Sequence, residues 1–309
     1  MNAYEFLQNN KAYDSVTNKG IHKEIEYAGP IMMDSGGFFF MKKNEIDITP
    51  KDIISFYEKT KPNFGVVLDH PLFPDLTKNQ ILKRQLETLA NTKTMLKHKK
   101  TRNPHIVPVI HGYDEKQIEW FVKKLKKIKN FQFYSIGSLV PSLYNVKDVG
   151  GLLNVVKIVN QVKSLLPRSK IHVLGTGSAL TMHLMFYAGA DSLDTSAWRT
   201  KAAYGAIQMV GTGDRWISKN VRSKKYTQLS REEKKILEDC KCTSCKSEGI
   251  IGLREKFDNR AIHNAWIYQK EVSKARKMIH QNSYDKYVEE LLKNTRLSNM
   301  LNEIKNLRN

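Results

Sequence analysis

The chain has 309 residues and 40% of them are hydrophobic, so it can bury the core of one large domain or of two ordinary ones. This excludes an intrinsically disordered chain and a minimal peptide scaffold. Lys and Arg number 51 against 31 Asp and Glu, and the formal charge of +20 favours nucleic acid as a partner over a merely solvated basic surface.

Residues 26 to about 195 repeat one arrangement, in which a short apolar run is followed by a small or acidic residue and then by a longer amphipathic segment. This alternation predicts β-strands joined by helices. The predicted strands are 31–33, 64–68, 106–110, 131–136, 171–174 and 190–193, with a weakly marked seventh at 207–210 and an eighth beyond the cysteines. The predicted helices are 77–99, 115–127, 147–166 and 179–187.

Polar residues and glycines follow the predicted strands. In a parallel (β/α)8 barrel these strand ends share one face, where catalytic residues lie. An open doubly wound sheet also binds ligands beyond its strand ends, so the pattern favours an α/β TIM barrel without proving it. The residues concerned are Asp34 to Gly37, Asp69, His70, His111, Gly112, Gly137, Ser138, Gly175 to Gly177 and Asp194 to Ser196.

Three of these residues are carboxylates, and each has a plain alternative role. Asp34 suits a turn or a helix N-cap, Asp69 an Asx-turn, and Asp194 a cap for the segment that follows it. Together, on three separate strand ends, they indicate a nucleophile and an acid/base at a glycosidic or phosphoryl centre.

The three cysteines form a compact cluster of thiols at Cys240, Cys242 and Cys245. Three thiolates and one further ligand suit a tetrahedral Zn²⁺ ion, and we favour His263 over His280 as the fourth ligand. The alternative is a redox or disulfide role, in which one of the three thiols would be unpaired. A site with four protein ligands would be structural rather than catalytic.

These cysteines are too close together for long-range disulfides, so a reducing cytoplasm fits best, including that of a host cell if the gene is carried by a phage. The first residues show no basic segment followed by an apolar run, and no apolar stretch reaches the length of a membrane span. We therefore expect a soluble protein that does not act at a membrane.

The composition becomes more charged and more helical after residue 218. We predict a main barrel part at 1–218, a zinc-binding subdomain at 219–264, and a barrel-closing helix with a basic helical tail at 265–309. The helical spacing of Tyr287, Leu291, Leu292 and Ile304 favours core packing over a dimer interface.

Four motifs together resemble the guanine transglycosylase superfamily, which includes the queuine and archaeosine tRNA-ribosyltransferases and their DNA-modifying relatives. They run in order from about residue 28 to 280. The motifs are MDSGGF at 33–38, GADSLD at 189–194, the CxCxxC cysteine set, and IHNAWIYQ at 262–269.

The resemblance implies a (β/α)8 barrel with a zinc insertion near its C-terminal end, and exchange of guanine in a nucleic acid for a 7-deazaguanine such as preQ0. By motif position Asp194 looks like the nucleophile that attacks C1′, and Asp34 looks like the general acid/base. Asp69 stands where the family reads the purine N1–H and its exocyclic amine. The slot for the base would be completed by Ser35, Gly37, Gly137, Ser138 and Gly175.

Trp198, Arg199 and Lys201 are predicted to hold the nucleic-acid backbone beside the site. The alternative is an exposed loop with ordinary packing.

Some positions depart from the tRNA enzymes. Phe39 and His111 each stand where Gln is usual, which puts the base contacts there in doubt, and the cysteine-to-histidine spacing is short. The TSAWR segment at 195–199 also differs from the bacterial tRNA enzymes. The trimmed zinc region and the DSxDxSxW pattern at 191–198 are more similar to the DNA-modifying branch, and no RNA-binding domain of the archaeal type is visible. We therefore favour DNA as the substrate, with tRNA as the alternative; a noncatalytic nucleic-acid-binding subunit is the third hypothesis. Helper proteins or a homodimer stay open as partners.

Overall fold

The computed structural model describes residues 1–43, 45–141, 150–210, 213–218, 225–295 and 297–308. The chain divides into two compact units, residues 1–174 and 175–309. Each unit is described by itself.

The described residues of the first unit form six short parallel strands in two groups of three. Within each group the strands pair in chain order, and the register sets Met33 beside Gly65 and Gly65 beside Ile106. The strands are β1 Met32–Met33, β2 Phe64–Val66, β3 His105–Val107, β4 Val109–Ile110, β5 Phe133–Ile136 and β6 Lys170–Val173.

Pro108 separates β3 from β4, which the sequence predicted as a single strand over 106–110. Proline has no N–H to donate to a strand ladder, so the run is interrupted at this residue. Its carbonyl is still used, because the backbone N–H of Ser135 donates to it at 2.9 Å. The other predicted strands of this unit lie within one or two residues of their observed positions.

Seven helices and one 3₁₀ turn of the first unit are described. Clear capping signals precede the long ones: Thr77 and Gln80 form a capping box, and Asp114 accepts from the N–H of Gln117 at 2.9 Å. The predicted start of one helix at 147 lies outside the described residues. The helices are α1 Ala3–Leu7, α2 Asn10–Lys19, α3 Ile21–Glu24, α4 Pro50–Thr60, α5 Lys78–His98, α6 Glu115–Ile128 and α7 Gly150–Leu165, and the 3₁₀ turn is Gly37–Phe40.

The core of this unit lies between the strands and the apolar faces of the helices. Helix α6 buries Ile118, Phe121, Val122 and Leu125, which recur every three or four residues on one side. Burying one such side chain contributes about 1.5–3 kcal/mol, so this face holds the helix against the strands.

The second unit is mainly helical, and one of its strand predictions was wrong. A strand was expected beyond the cysteines, but the described residues after Trp216 form helices only, because that stretch is charged and has helical rather than alternating periodicity. The elements are α8 Met182–Tyr187, β7 Ser192–Leu193, α9 Ala197–Ala203, β8 Ala206–Met209, β9 Gly213–Trp216, α10 Arg231–Glu238, α11 Thr243–Glu255, α12 Phe257–His280, α13 Tyr284–Leu292 and α14 Ser298–Arg308.

The extra strand is β9, which pairs with β8 as an antiparallel hairpin and sets Ile207 beside Arg215. Its residues include Asp214 and Arg215, so it carries no hydrophobic run that would mark it in the sequence.

The C-terminal helices pack through apolar side chains as their spacing predicted. Leu292 and Ile304 are fully buried, whereas Tyr287 and Leu291 are half-buried, and Tyr287 donates to the carboxylate of Glu271 at 3.1 Å. No helix in the described part of the chain is long and apolar enough to cross a membrane.

The alternation of parallel strands and helices is an α/β fold, consistent with the (β/α)8 barrel that the resemblance implied. Of the predicted domain borders, residue 219 lies outside the described residues, and α12 runs without interruption across 264 and 265. Both borders stay predictions.

Candidate active site

The three aspartates lie at the carboxyl ends of β1, β2 and β7, as predicted. Asp69 is buried, Asp34 is half-buried and Asp194 is exposed. None of them caps a helix: the 3₁₀ turn begins after Gly36 and helix α9 begins after Ser196. The turn alternative does fit Asp34, whose Oδ2 accepts from the N–H of Gly36 at 3.3 Å.

The backbone of Asp34 is held by the first residues of the chain. Its N–H donates to the carbonyl of Met1 at 3.0 Å, and its carbonyl accepts from the N–H of Ala3 at 2.7 Å. These bonds extend β1 by one bridge, between Asn2 and Asp34. The sequence offered no signal for this contact, because it joins residues about thirty positions apart.

Asp69 is packed against the glycine turn that follows Asp34. The hydroxyl of Ser35 donates to Asp69 Oδ1 at 3.4 Å. A Cβ added at Gly37 would lie 2.2 Å from the same oxygen, which is closer than real Cβ contacts come. The carboxylate therefore occupies its position only because residue 37 has no side chain.

His111 is fully buried, and the hydroxyl of Ser138 contacts its ring. Ser138 Oγ lies 2.7 Å from His111 Nδ1, and it also accepts from the N–H of Leu72 at 2.7 Å. A hydroxyl that accepts from an amide is well placed to donate its own proton to the ring. Nδ1 is then an acceptor, and the ring proton is on Nε2.

The Nε2 of His111 lies 3.1 Å from Oδ2 of Asp69. The angles do not make a hydrogen bond, and within the described residues this buried nitrogen has no aligned acceptor. A buried donor without a partner is rare in proteins and calls for an explanation such as a bound group. The Nε2–H donor of His111 and the carboxylate of Asp69 therefore lie side by side.

Gly137, which follows β5, leaves room for the ring of His111. A Cβ at this position would lie 2.8 Å from Cε1 of His111 and 2.8 Å from Cγ1 of Val109. Ser138, the next residue, has a positive φ of 64°. The turn after β5 thus holds the Ser138 hydroxyl against the imidazole.

Tyr57 is a site residue that sequence reasoning missed. Its hydroxyl lies 3.1 Å from the carbonyl of Met33 and 2.9 Å from that of Val66, so it bridges the ends of β1 and β2. Burial raises the pKa of Tyr57 well above its usual value, and the negative charges of Asp34 and Asp69 raise it further. A tyrosine on an amphipathic helix gives no sequence signal for such a role.

In the second unit Asp194 is linked to the glycine loop that precedes α8. Its Oδ1 accepts from the N–H of Gly175 at 2.8 Å, and Gly175 has a positive φ of 68°. Thr195 and Tyr268 both donate to the carbonyl of Gly177, at 2.8 and 3.2 Å. Gly175 and Asp194 are thus brought together as predicted, on loops held by neighbouring side chains.

The three residues predicted to bind nucleic acid have different environments. Arg199 is exposed, whereas Trp198 is half-buried against the apolar cluster of Met182 and Ile267. Lys201 pairs with Asp214 and lies 5.8 Å from the ring of Trp216. Lys201 and Trp216 line a groove of about 1010 Å³, while Trp198 contributes mainly to packing.

The cysteine cluster is joined by His263, as predicted, and His280 lies elsewhere on the surface. The four ligand atoms lie within 4.8 Å of one another, and His263 Nδ1 is 3.7, 3.7 and 3.3 Å from Sγ of Cys240, Cys242 and Cys245. Tetrahedral zinc bonds would place nitrogen and sulfur about 3.6 Å apart. The donor set therefore fits Zn²⁺.

The other ring nitrogen of His263 makes the contact that is usual around a zinc ligand. Nε2 donates to the carbonyl of Gln208 at 3.0 Å, and Nδ1 faces the thiols. Hydrogen bonds from Cys242 and Cys245 lower the pKa of Cys240, which favours the thiolate that a metal requires.

Comparison with known proteins identifies the family of the chain. The family model described as queuine tRNA-ribosyltransferase matches residues 1–296. The chain belongs to this family. Membership places the Asp34, Asp194 and cysteine motifs within one family pattern that covers nearly the whole chain.

Curated relatives include tRNA-guanine(15) transglycosylases of archaea. That of Pyrococcus furiosus is 25% identical over 296 residues, which cover 94% of this chain and 46% of the relative. Those of Methanococcus aeolicus and Methanocaldococcus jannaschii are each 26% identical, over 94% of this chain and 43% of each relative. The chain thus spans about half the length of the curated relatives it matches.

Proposed function

We propose that this chain is a pentosyltransferase that exchanges guanine in a nucleic acid for a 7-deazaguanine base. The observation that carries the proposal is the buried Asp69 carboxylate beside the Nε2–H of His111, where Gly37 leaves room for the carboxylate and Gly137 leaves room for the imidazole. A carboxylate next to a donor complements the edge of guanine, where N1–H and the amine are donors and O6 is an acceptor. Family membership supports the same reaction.

In the first half of the reaction the Asp194 carboxylate attacks C1′ of the target nucleoside. The C1′–N9 bond breaks, and Asp34, as a carboxylic acid, protonates the departing guanine. The sugar is then held as a covalent ester of Asp194. The hydrogen bond from the Gly175 N–H orients the attacking carboxylate.

In the second half N9 of the incoming base attacks C1′ and displaces Asp194, whose carboxylate is regenerated. The N9 proton passes to Asp34, which is then ready for another cycle. No net hydrolysis occurs, because one glycosidic bond replaces another. The incoming base has the guanine edge, so Asp69 and His111 can bind both the leaving and the entering base.

We propose tRNA as the first polymer to test. The support is that the curated relatives are tRNA-guanine(15) transglycosylases. DNA is the second candidate, favoured by the short cysteine-to-histidine spacing and by the DSxDxSxW pattern at 191–198, which are more similar to the DNA-modifying branch. Trp198, Arg199 and Lys201 are proposed to contact either polymer, with Arg199 as the exposed cation of the three.

We propose Zn²⁺ as a structural ion held by Cys240, Cys242, Cys245 and His263. When bound, it would cross-link the loop before α11 to helix α12 and would supply no chemistry to the reaction. The Gln208 carbonyl that accepts from His263 belongs to β8, so the ion would also brace the hairpin.

The test is incorporation of labelled guanine and labelled preQ0 into matched tRNA and DNA pools, with Asp194→Ala and Asp194→Asn as controls. We expect label in tRNA and a covalent adduct that denaturation preserves, both lost in the two variants. Label in DNA alone would establish the second candidate. Label in neither polymer would contradict base exchange and favour a noncatalytic subunit, and an adduct that persists in Asp194→Ala would refute the nucleophile.

A further inference from the structure

Helix α12 carries the IHNAWIYQ motif, of which the proposed function uses only the histidine. The buried positions of this helix recur every three or four residues along one side. Several of them are polar, and buried polar side chains need hydrogen-bond partners. We call this side of the helix the inner face, and its members are Arg260, His263, Asn264, Ile267 and Tyr268.

The first polar members of the inner face bond to backbone groups of neighbouring elements. Arg260 Nε donates to the carbonyl of Ala202, in α9, at 2.8 Å. His263 Nε2 donates to the carbonyl of Gln208, in β8, at 3.0 Å. Helix α12 is therefore attached to both α9 and β8 by buried hydrogen bonds.

Asn264 strengthens this attachment and uses both ends of its amide. Nδ2 donates to the carbonyl of Trp198 at 3.0 Å and to that of Ala206 at 3.1 Å. Oδ1 accepts from the N–H of Gln208 at 2.7 Å, and the residue is fully buried. Since Trp198 lies four residues after Asp194, Asn264 fixes the segment on one side of the proposed nucleophile.

Tyr268 reaches the segment on the other side of Asp194. Its hydroxyl donates to the carbonyl of Gly177 at 3.2 Å, and two residues earlier the N–H of Gly175 donates to Asp194 Oδ1 at 2.8 Å. Both glycines have a positive φ, of 68° and 113°. Glycine leaves the backbone more freedom than other residues do, so this loop depends on hydrogen bonds to keep one conformation.

The Gly177 carbonyl also accepts from Thr195, the residue after Asp194, at 2.8 Å. A carbonyl oxygen has two lone pairs and can accept both hydroxyls. Asp194 thus lies between the loop 175–177 and helix α9, and the inner face of α12 bonds to each of them.

We propose that Tyr268 is a positioning residue for the nucleophile Asp194. This rests on the proposed function, in which the Asp194 carboxylate attacks C1′. Tyr268 acts through the loop: it fixes the Gly177 carbonyl, and thereby the Gly175 N–H that orients the carboxylate. Attack requires the carboxylate oxygen in a narrow range of positions, so a small displacement slows the chemical step without weakening substrate binding.

The test variant is Tyr268→Phe, which removes the hydroxyl and keeps the buried ring. We expect kcat and the single-turnover rate of covalent adduct formation to fall about fivefold, which corresponds to one lost hydrogen bond. KM for the nucleic acid and KM for the free base should stay unchanged, because the variant removes no group that binds either substrate.

Tyr284→Phe is the matched control. Tyr268 and Tyr284 are both 8% exposed, but the Tyr284 hydroxyl lies 3.0 Å from His183 Nδ1 and joins α13 to α8 instead. The two variants should lose similar stability, and Tyr284→Phe should form the adduct at the wild-type rate. Wild-type adduct formation by Tyr268→Phe, or equal slowing in Tyr284→Phe, would show that Tyr268 does not position Asp194.

A measurement that needs no catalysis separates this proposal from the proposed function. Hydrogen–deuterium exchange at the Gly175 amide, followed by NMR, should be faster in Tyr268→Phe than in wild type and Tyr284→Phe, because the released loop opens more often. If this occurs while wild type forms no adduct, the proposed function is wrong and the role of Tyr268 in orienting Asp194 stands. Unchanged amide exchange in Tyr268→Phe overturns that role even if base exchange occurs.

Discussion

Ser138 Oγ and His111 Nδ1 lie 2.7 Å apart, and this contact leaves the proton of the imidazole on Nε2, facing Asp69. The two residues are 27 positions apart, on the loops that follow β4 and β5. Ser138 is therefore a positioning residue that acts through the histidine.

Removal of the Ser138 hydroxyl should change the tautomer of His111. Ser138→Ala leaves Nδ1 without its donor, so we expect KM for the free base to rise about tenfold with kcat little changed. The ¹⁵N chemical shifts of the imidazole report the tautomer directly. Ser135→Ala is the matched control, because Ser135 is also buried but donates to the carbonyl of Pro108; equal effects of the two variants would contradict the role of Ser138.

Adding one methyl group at Gly37 should block the base slot. In Gly37→Ala the new Cβ meets Asp69 Oδ1 at 2.2 Å, so the carboxylate must move and we expect at least a hundredfold loss of exchange, on the order of 3 kcal/mol. Gly213→Ala is the control, since a Cβ there has no atom within 4 Å and adds only backbone strain at φ +78°. Wild-type kinetics of Gly37→Ala would show that Asp69 does not bind the base.

Metal removal should destabilise the second unit. A metal at a thousandfold excess over its Kd stabilises a fold by about 4 kcal/mol, so a chelator should lower the unfolding temperature by about 10 °C. Cys245→Ser and His263→Ala should lower zinc content measured by elemental analysis, whereas His280→Ala, on the exposed surface, should not. Equal zinc content in His263→Ala and wild type would remove His263 from the ligand set.

Glu58 should make stability depend on acid pH. Burial by itself raises the pKa of Glu58, but donation from the backbone N–H groups of Lys100 and Thr101 outweighs burial and lowers the pKa below its ordinary 4.5. A lowered pKa in the folded state contributes stability above the unfolded pKa, which is lost as pH falls through the folded value.

The urea midpoint of wild type should therefore fall as pH decreases below about 4.5. Glu58→Gln should be less stable than wild type near neutral pH, and its urea midpoint should change less as pH decreases below about 4.5. If the urea midpoint of the variant depends on acid pH as steeply as that of wild type, Glu58 is not the group that causes the pH dependence.

A buried network in the second unit should be sensitive to loss of one member. His183 Nε2 lies 2.9 Å from Oε2 of Glu271, which also accepts from Tyr287, and both His183 and Glu271 are at most 2% exposed. Glu271→Ala leaves a buried ring nitrogen without its partner, so we expect a loss of about 3 kcal/mol in the free energy of unfolding. Tyr287→Phe, which removes only one hydrogen bond, should cost about 1 kcal/mol.

Structural features that depend on neighbouring residues, such as strands and helix starts, were predictable from the sequence. Five apolar runs placed the strands of the first unit to within one or two residues, with one run covering both β3 and β4 across Pro108, and Thr77 with Gln80 marked the start of α5. These signals are local, because capping and hydrophobic periodicity depend on residues a few positions apart. Strand β9 was not predicted because its sequence contains Asp214 and Arg215 and therefore has no apolar run.

The candidate site was predictable as a list of residues and not as a geometry. The sequence named Asp34, Asp69 and Asp194 at strand ends and joined His263 to the cysteines, and the structure agrees with both. It gave no sign that Tyr57 bridges β1 and β2, or that Arg84 donates to the carbonyls of Met41 and Lys43.

The sequence by itself determined where strands end, which polar residues follow them, and which four side chains carry metal-ligand chemistry. Only the tertiary structure decided which way the proton of His111 faces, why residue 37 must be glycine, and that Phe38 and Phe39 remain in water. The physical reason is that strand ends and caps follow from neighbouring residues. A tautomer, a steric limit or an exposed ring depends on atoms that only folding brings within a few ångströms.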